Sequence, residues 1–231
     1  AKLRFQKSWE IPMKRRCLLS LVLLFVTSPV GHAMWVDTFA GGAPQQTWVY
    51  AALPNEATYT QSYFSDGVQM ESTVPVGTGG AVAVFGVVPD MFDSNVRVRA
   101  VVNPNNVSNL SRNLGVLAHM NPTTGDGYSF TVKYDETDPT IDISKIEGAA
   151  DDNLGHADVP GFSMTKSYIL ELDVIGTHLT GRIYDSNENL LTTISAIDND
   201  PYTSGYAGIA TQRELTDATL LGMFGMVSAI P

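Results

Sequence analysis

The sequence predicts an all-β protein, a two-sheet antiparallel jelly-roll sandwich, and three observations carry that prediction. Downstream of residue 33 the chain is written in short runs that alternate apolar and polar, the period-two signature of strands half buried in a sheet. The runs are separated by Gly, Pro, Asn and Asp clusters such as "NPNN", "NPTTGDG", "ETDP", "DSNEN" and "DNDP", all turn chemistry. Helical periodicity is nearly absent there, which removes the crossover helices that a parallel βαβ sheet would need.

The N-terminal segment is of another kind. Residues 1–12 precede Met13 and are set aside as upstream sequence. Residues 13–33 read "MKRRCLLSLVLLFVTSPVGHA": a basic cluster at Lys14, Arg15 and Arg16, an apolar run from Leu18 to Val26, then Ser28-Pro29 and Gly31-His32-Ala33. That order of basic, apolar and small residues predicts a secretory signal peptide, a mature N-terminus near Met34, and a secreted, extracellular or cell-envelope protein. The apolar run falls well short of the roughly 20 residues that span a bilayer, so no stable membrane insertion is expected after cleavage. Cys17, the one cysteine, precedes the apolar run, which is the wrong side for a lipid anchor. The rest of the chain can form no disulfide, thiolate metal site or catalytic cysteine, and an exported chain without disulfides fits a bacterial setting.

Residues 34–231 read as one domain, with no repeat and no linker. Six of the 14 basic residues and one of the 24 acidic ones lie in residues 1–33, so 8 stand against 23 in the remainder, a net charge of −15. Such a surface repels phosphate backbones and anionic lipid, which argues against nucleic acid as a partner.

The strands expected in order are 67–74, 81–88, 95–102, 114–120, 128–134, 140–146, 167–175, 178–185, 190–197 and 218–229. The acidic stretch "EGAADDNLGHADVPG" (147–161) reads as the longest irregular piece, a loop. The sharpest pattern lies in residues 168–185. In "YILELDVI", Leu170, Leu172 and Val174 share one face, while Glu171 and Asp173 take the other. In "HLTGRIYD" the apolar face carries Leu179, Gly181 and Ile183, and the polar face Thr180, Arg182 and Tyr184. Gly176-Thr177 between them is a tight turn, so the two runs make a hairpin whose apolar face enters the core.

This hairpin, the element "VDTFA" (36–40), the run "DPYTSGYAGIAT" (200–211) and the closing apolar strand together resemble the concanavalin A-like lectin/glucanase superfamily. Within it they are most similar to the laminin-G-like jelly rolls of exported bacterial proteins. The resemblance covers most of residues 35–229 and implies a noncatalytic carbohydrate-binding or surface-interaction module, with a glycan or cell-surface polysaccharide as partner. It also implies a calcium site near the first and last strands. Asp37 is the candidate ligand from the first. "LLGMFGMV" in the last strand lacks the family's acid, which leaves Asp217, just upstream, to substitute. Acidic turns elsewhere suit calcium as a structural cofactor too, and no zinc spacing is present among the histidines.

Two enzyme readings stay open beside the binding module, as does a purely structural envelope or matrix role. A retaining glucanase of this superfamily needs acids at alternate positions of one strand. Glu171 and Asp173 supply two, but Ile175 stands where the third belongs. A polysaccharide lyase would instead gather cations with a His or Tyr on the polar face of several strands, and Arg97, Arg99, His119, Lys133, Arg182 and Tyr184 are the candidates. For a lectin, sugars stack on exposed rings, and Tyr59, Tyr63, Tyr202, Tyr206 and Trp48 are the rings placed in or beside turns.

Overall fold

The computed structural model describes residues 34–53, 58–73, 82–93, 95–104, 112–134, 138–148, 150–213 and 219–231. The expected signal peptide and Asp217 lie outside the described residues. In chain order the strands are β1 (Trp35–Asp37), β2 (Val49–Leu53), β3 (Thr58–Phe64), β4 (Gly67–Thr73) and β5 (Val82–Asp93). Next come β6 (Asn95–Asn103), β7 (Arg112–Met120), β8 (Gly127–Tyr134), β9 (Thr140–Glu147) and β10 (Ala150–Asp158). The last are β11 (Tyr168–Ile175), β12 (His178–Asp185), β13 (Leu190–Ile197), β14 (Ser204–Arg213) and β15 (Thr219–Ile230).

These strands form two antiparallel sheets. The first runs β13-β12-β11-β6-β15-β4-β3, with β1 also paired to β15; the second runs β10-β9-β8-β7-β14-β5-β2. Neighbours distant in sequence, such as β6 beside β15 and β7 beside β14, give the crossing connections of a jelly roll.

The hairpin of residues 168–185 forms in the expected register, with Ile175 opposite His178 and Leu172 opposite Gly181. Gly176 takes φ +57 in its turn, a conformation that costs a glycine little. Leu170, Leu172, Val174, Leu179 and Ile183 are fully buried between the sheets, together with Val96 and Val98 of β6. Facing them from the second sheet are Leu114 and Val116 of β7, Phe130 and Val132 of β8, and Ile141 and Ile143 of β9. Gly181 is a packing residue, because a Cβ there would run into the Phe130 ring.

One expectation is corrected. The acidic stretch expected as a loop contains β10, paired with β9 along its length and shifted in register between Asn153 and Gly155. Its polarity reflects its position at the sheet edge, where its side chains are mostly exposed and charges discourage pairing with another chain. Strand β5 also runs past the expected end at residue 88, through Pro89. The proline is tolerated because the pairing with β14 is irregular there, Val88 and Met91 facing Ala207 and Tyr206 in succession.

Candidate functional site

The sandwich has two outer faces, and each gathers a different set of polar residues. On the first sheet, β6, β11 and β12 lie side by side, so the residues that alternate with the core come together. Glu171 stands between Arg99 and Arg182, and Asp173 between Arg97 and Thr180. Arg97 grips Asp173 with two donors, Nε at 2.5 Å and Nη2 at 3.2 Å. Arg182 Nη1 donates to Asp173 at 2.5 Å and to Glu171 at 3.0 Å, and the Tyr184 hydroxyl donates to the same Glu171 oxygen at 3.2 Å. Arg99 pairs with exposed Glu188 and lies over the Tyr184 ring.

Both strand carboxylates are buried in this ladder. Burial opposes ionisation of Asp173, but the hydrogen bonds from Arg97 and Arg182 outweigh it and hold its carboxyl below the usual range. The same bonds raise both arginines. Burial, then the Glu171 charge, pushes Tyr184 up. The face is a neutralised network of cross-strand ion pairs.

The other two lyase candidates stand on the second sheet. His119 is buried at the end of β7 with φ +51, its Nδ1 bonded to the carbonyl of Tyr202, and burial lowers its pKa. Lys133 lies on β8 opposite Asn113. The six residues therefore divide between the two sheets.

The outer face of the second sheet is built differently. Phe85, Val87, Leu117 and Met120 form a small apolar cluster separate from the main core, with Ala210, Ile146 and Tyr206 packed against it. Ala51, Phe85, Ala210, Gly115, Thr131 and Asp142 form one cross-strand row, and the short side chains in its middle leave a depression. The result is a groove of about 190 Å³ floored by the apolar cluster. Asn113 and Gln212 stand at one end and Asp151 at the other, with the hydroxyls of Ser129 and Thr131 between. The Asn113 amide donates to Gln212 Oε1 at 3.4 Å, while its own Oδ1 is shielded from water and accepts no hydrogen bond. Apolar floor and spaced, directional polar groups are what an amphipathic small molecule requires. No single stretch of sequence announces this groove, since its lining comes from six strands and two turns.

The aromatic candidates are distributed as follows. Tyr206, half-buried, packs against the groove's apolar cluster and pairs with Met120. Tyr202 turns inward: its hydroxyl donates to the carbonyl of Ile146 at 2.9 Å, its ring packs on Tyr128, and Lys145 lies over it. Lys145 and Tyr128 both bind Asp198, so these residues tie the 198–203 segment to the sheet. Trp48 packs on Trp35, Phe39 and Tyr50, and Tyr63 stacks on Phe39 and donates to the Tyr50 hydroxyl. Tyr59 lies on β3, its side chain outside the described residues.

Asp37 is fully buried, and its carboxylate accepts from four donors: the backbone N–H groups of Phe39, Gln45 and Gln46, and Trp48 Nε1 at 2.8 Å. These are N–H groups, which repel a cation, so the residues around Asp37 do not fit a calcium ion. Among the described residues no three His, Asp or Glu side chains are grouped to hold a metal.

No protein-family model and no curated protein matches the chain. Solved structures do. A carbohydrate-binding module from Bacillus subtilis aligns over 80% of this chain and 96% of its own at TM-score 0.59 and 14% identity. A Bacillus subtilis protein of unknown function with a galectin-like fold aligns over 87% and 97% at TM-score 0.57 and 12% identity. The exoplasmic/lumenal domain of VIP36, in a form with calcium and mannose bound, aligns over 85% and 88% at TM-score 0.55 and 13% identity. At these identities the likeness shows the fold, a lectin-like jelly-roll sandwich.

Proposed function

We propose that this chain is an exported, noncatalytic carbohydrate-binding module of the laminin-G-like type that takes a sugar in the groove of the second sheet. The observation that carries the reading is the groove itself, an apolar floor about one monosaccharide in size with amides, hydroxyls and a carboxylate around it. The fold is one on which lectins and carbohydrate-binding modules are built, and the acidic surface leaves a glycan as a better partner than nucleic acid.

The noncatalytic part rests on the opposite face. A glycosidase needs one carboxyl that keeps its proton near neutral pH and a second free to attack. Asp173 is instead held ionised by two arginines, and Glu171 is occupied by Arg182 and Tyr184. Against a lyase stands the pairing of the cations beside Tyr184, Arg97 and Arg182 with Asp173 and Glu171, and Arg99 with Glu188, while His119 and Lys133 stand on the other sheet.

The test is a polysaccharide array probed with wild type and with Ala210→Trp, which fills the groove, with reducing-end release assayed on the same panel. Binding by wild type that falls at least about tenfold in Ala210→Trp is the expected result. Full binding by that variant would move the site elsewhere. Turnover that disappears in Glu171→Gln would make the protein an enzyme.

A further inference from the structure

We propose that His119 is an acid-sensitive latch beneath residues 198–205, and that its uptake of a second proton releases that segment from the second sheet. Strand β7 departs from alternation at its end. Met120 pairs with Tyr206 and Leu117 with Gly208, so Ala118 and His119 together oppose Ala207 alone. His119 takes φ +51 there, an uncommon and strained conformation for a residue with a side chain of its size. The extra residue sends Met120 to the outer apolar cluster beside Leu117. It brings the His119 ring to within 6.3 Å of the Tyr128 ring in the main core.

The ring is closed off in this position, with His119 only 2% exposed. Its Nδ1 donates to the carbonyl of Tyr202 at 2.9 Å, which fixes the proton on Nδ1 and leaves Nε2 as the bare nitrogen. Nε2 is shielded from water and has no hydrogen-bond partner. Gly205 lies so close that a Cβ there would overlap the His119 backbone. A second proton would put a charged N–H where there is neither water nor an acceptor, and only admission of water relieves that cost. The cover over the ring is the part built to move. Residues 198–203 lie outside any strand and are held to the second sheet by side chains. Asp198 binds Tyr128 and Lys145, Lys145 also binds the Asp200 carbonyl, and Tyr202 binds the Tyr128 hydroxyl and the carbonyl of Ile146.

Burial lowers the His119 pKa, outweighing the carbonyl of Tyr202 and the charge of Asp93 at the end of β5, which both favour the imidazolium. Burial raises the phenols of Tyr128 and Tyr202, and the Lys145–Asp198 pair keeps both its partners charged against their burial. His119 is the group among these whose ordinary value lies between pH 5 and 7. An exposed imidazole takes its proton near pH 6.5, so the closed form is fully favoured above about that value. It loses ground as pH falls toward the lowered one. Carboxylates such as Asp173 and Asp198 give up their contributions near pH 4 and below, outside this window.

Amide hydrogen exchange of the purified protein at pH 7.5 and pH 5.0, corrected for the intrinsic rate at each pH, tests the latch. Protection of residues 198–205 falls at least about fivefold at pH 5.0, while β11 keeps its protection. The ceiling is about thirtyfold, for an imidazole wholly refused its proton when closed. His119→Asn, which tolerates positive φ and does not titrate, removes the response. His156→Gln combined with His178→Gln, at the exposed histidines, retains it. A nuclear magnetic resonance titration of the wild-type ring reads the same group without any substitution, and His119 titrates below the ordinary imidazole value. Unchanged protection of 198–205 at pH 5.0, or an equal loss in β11, overturns the proposal. So does a response that survives in His119→Asn or vanishes in the double variant, or a His119 ring that titrates at or above the ordinary value.

Discussion

At the scale of single residues, carboxylates do most of the organising in this protein, and each is held by a different donor set. Asp37 gathers four N–H groups and so folds residues 38–48 around itself. Asp198 is bound by Tyr128, Lys145 and the backbone of Asp200. Burial works against its charge, but those partners bring its carboxyl below the ordinary range. Asp173 is held by two arginines and behaves likewise. A carboxyl whose folded pKa lies below its unfolded value stabilises the fold fully above the unfolded value, near pH 4, and that contribution is lost as pH falls through the lowered value. Urea unfolding at pH 6 and pH 3 should therefore show a larger acid loss for wild type than for Asp173→Asn. Equal losses in the two proteins would mean that the ladder adds nothing to pH-dependent stability.

At the scale of elements, the β11–β12 hairpin joins the core to one outer face of the molecule, because one of its faces builds the core and the other the ion-pair ladder. Leu172 sits at its centre, fully buried and opposite Gly181. Leu172→Asp would place a charge in the core with no partner, at a cost of at least about 3 kcal/mol. For a domain of this size that corresponds to a fall in melting temperature of roughly 6–12 °C. A variant melting within a degree or two of wild type would show that this face does not enter the core. The hairpin was legible in the sequence because its alternation is unbroken and its turn contains a glycine. Strand β10 was not, since an edge strand buries little and its residues carry no apolar period. The short strands β1 and β2 escaped for a related reason: each is paired on one side and too brief to show a pattern.

At the scale of the whole molecule, the export reading makes its own prediction. The form recovered outside the cell should begin near Met34, and N-terminal sequencing that starts upstream of Leu24 would contradict it. The expected export signal, the acidic charge and the sandwich are all read from local order and composition, and the sequence by itself determined these expectations. Alternation says which side chains share a face, so the core of the hairpin and the alignment of Glu171 and Asp173 could also be read directly. Tertiary structure alone decided what lies across from each face. Pairing β6, β11 and β12 brought arginines 76 and 9 residues away onto one aspartate and turned a candidate acid pair into a neutralised ladder. Stacking β5, β14, β7, β8, β9 and β10 placed small and apolar residues from distant segments in one depression, with Asn113 and Asp151 at its ends. Strand order is set by which sheet edges each segment can reach once the core closes. That long-range choice leaves no trace in any short stretch of the chain.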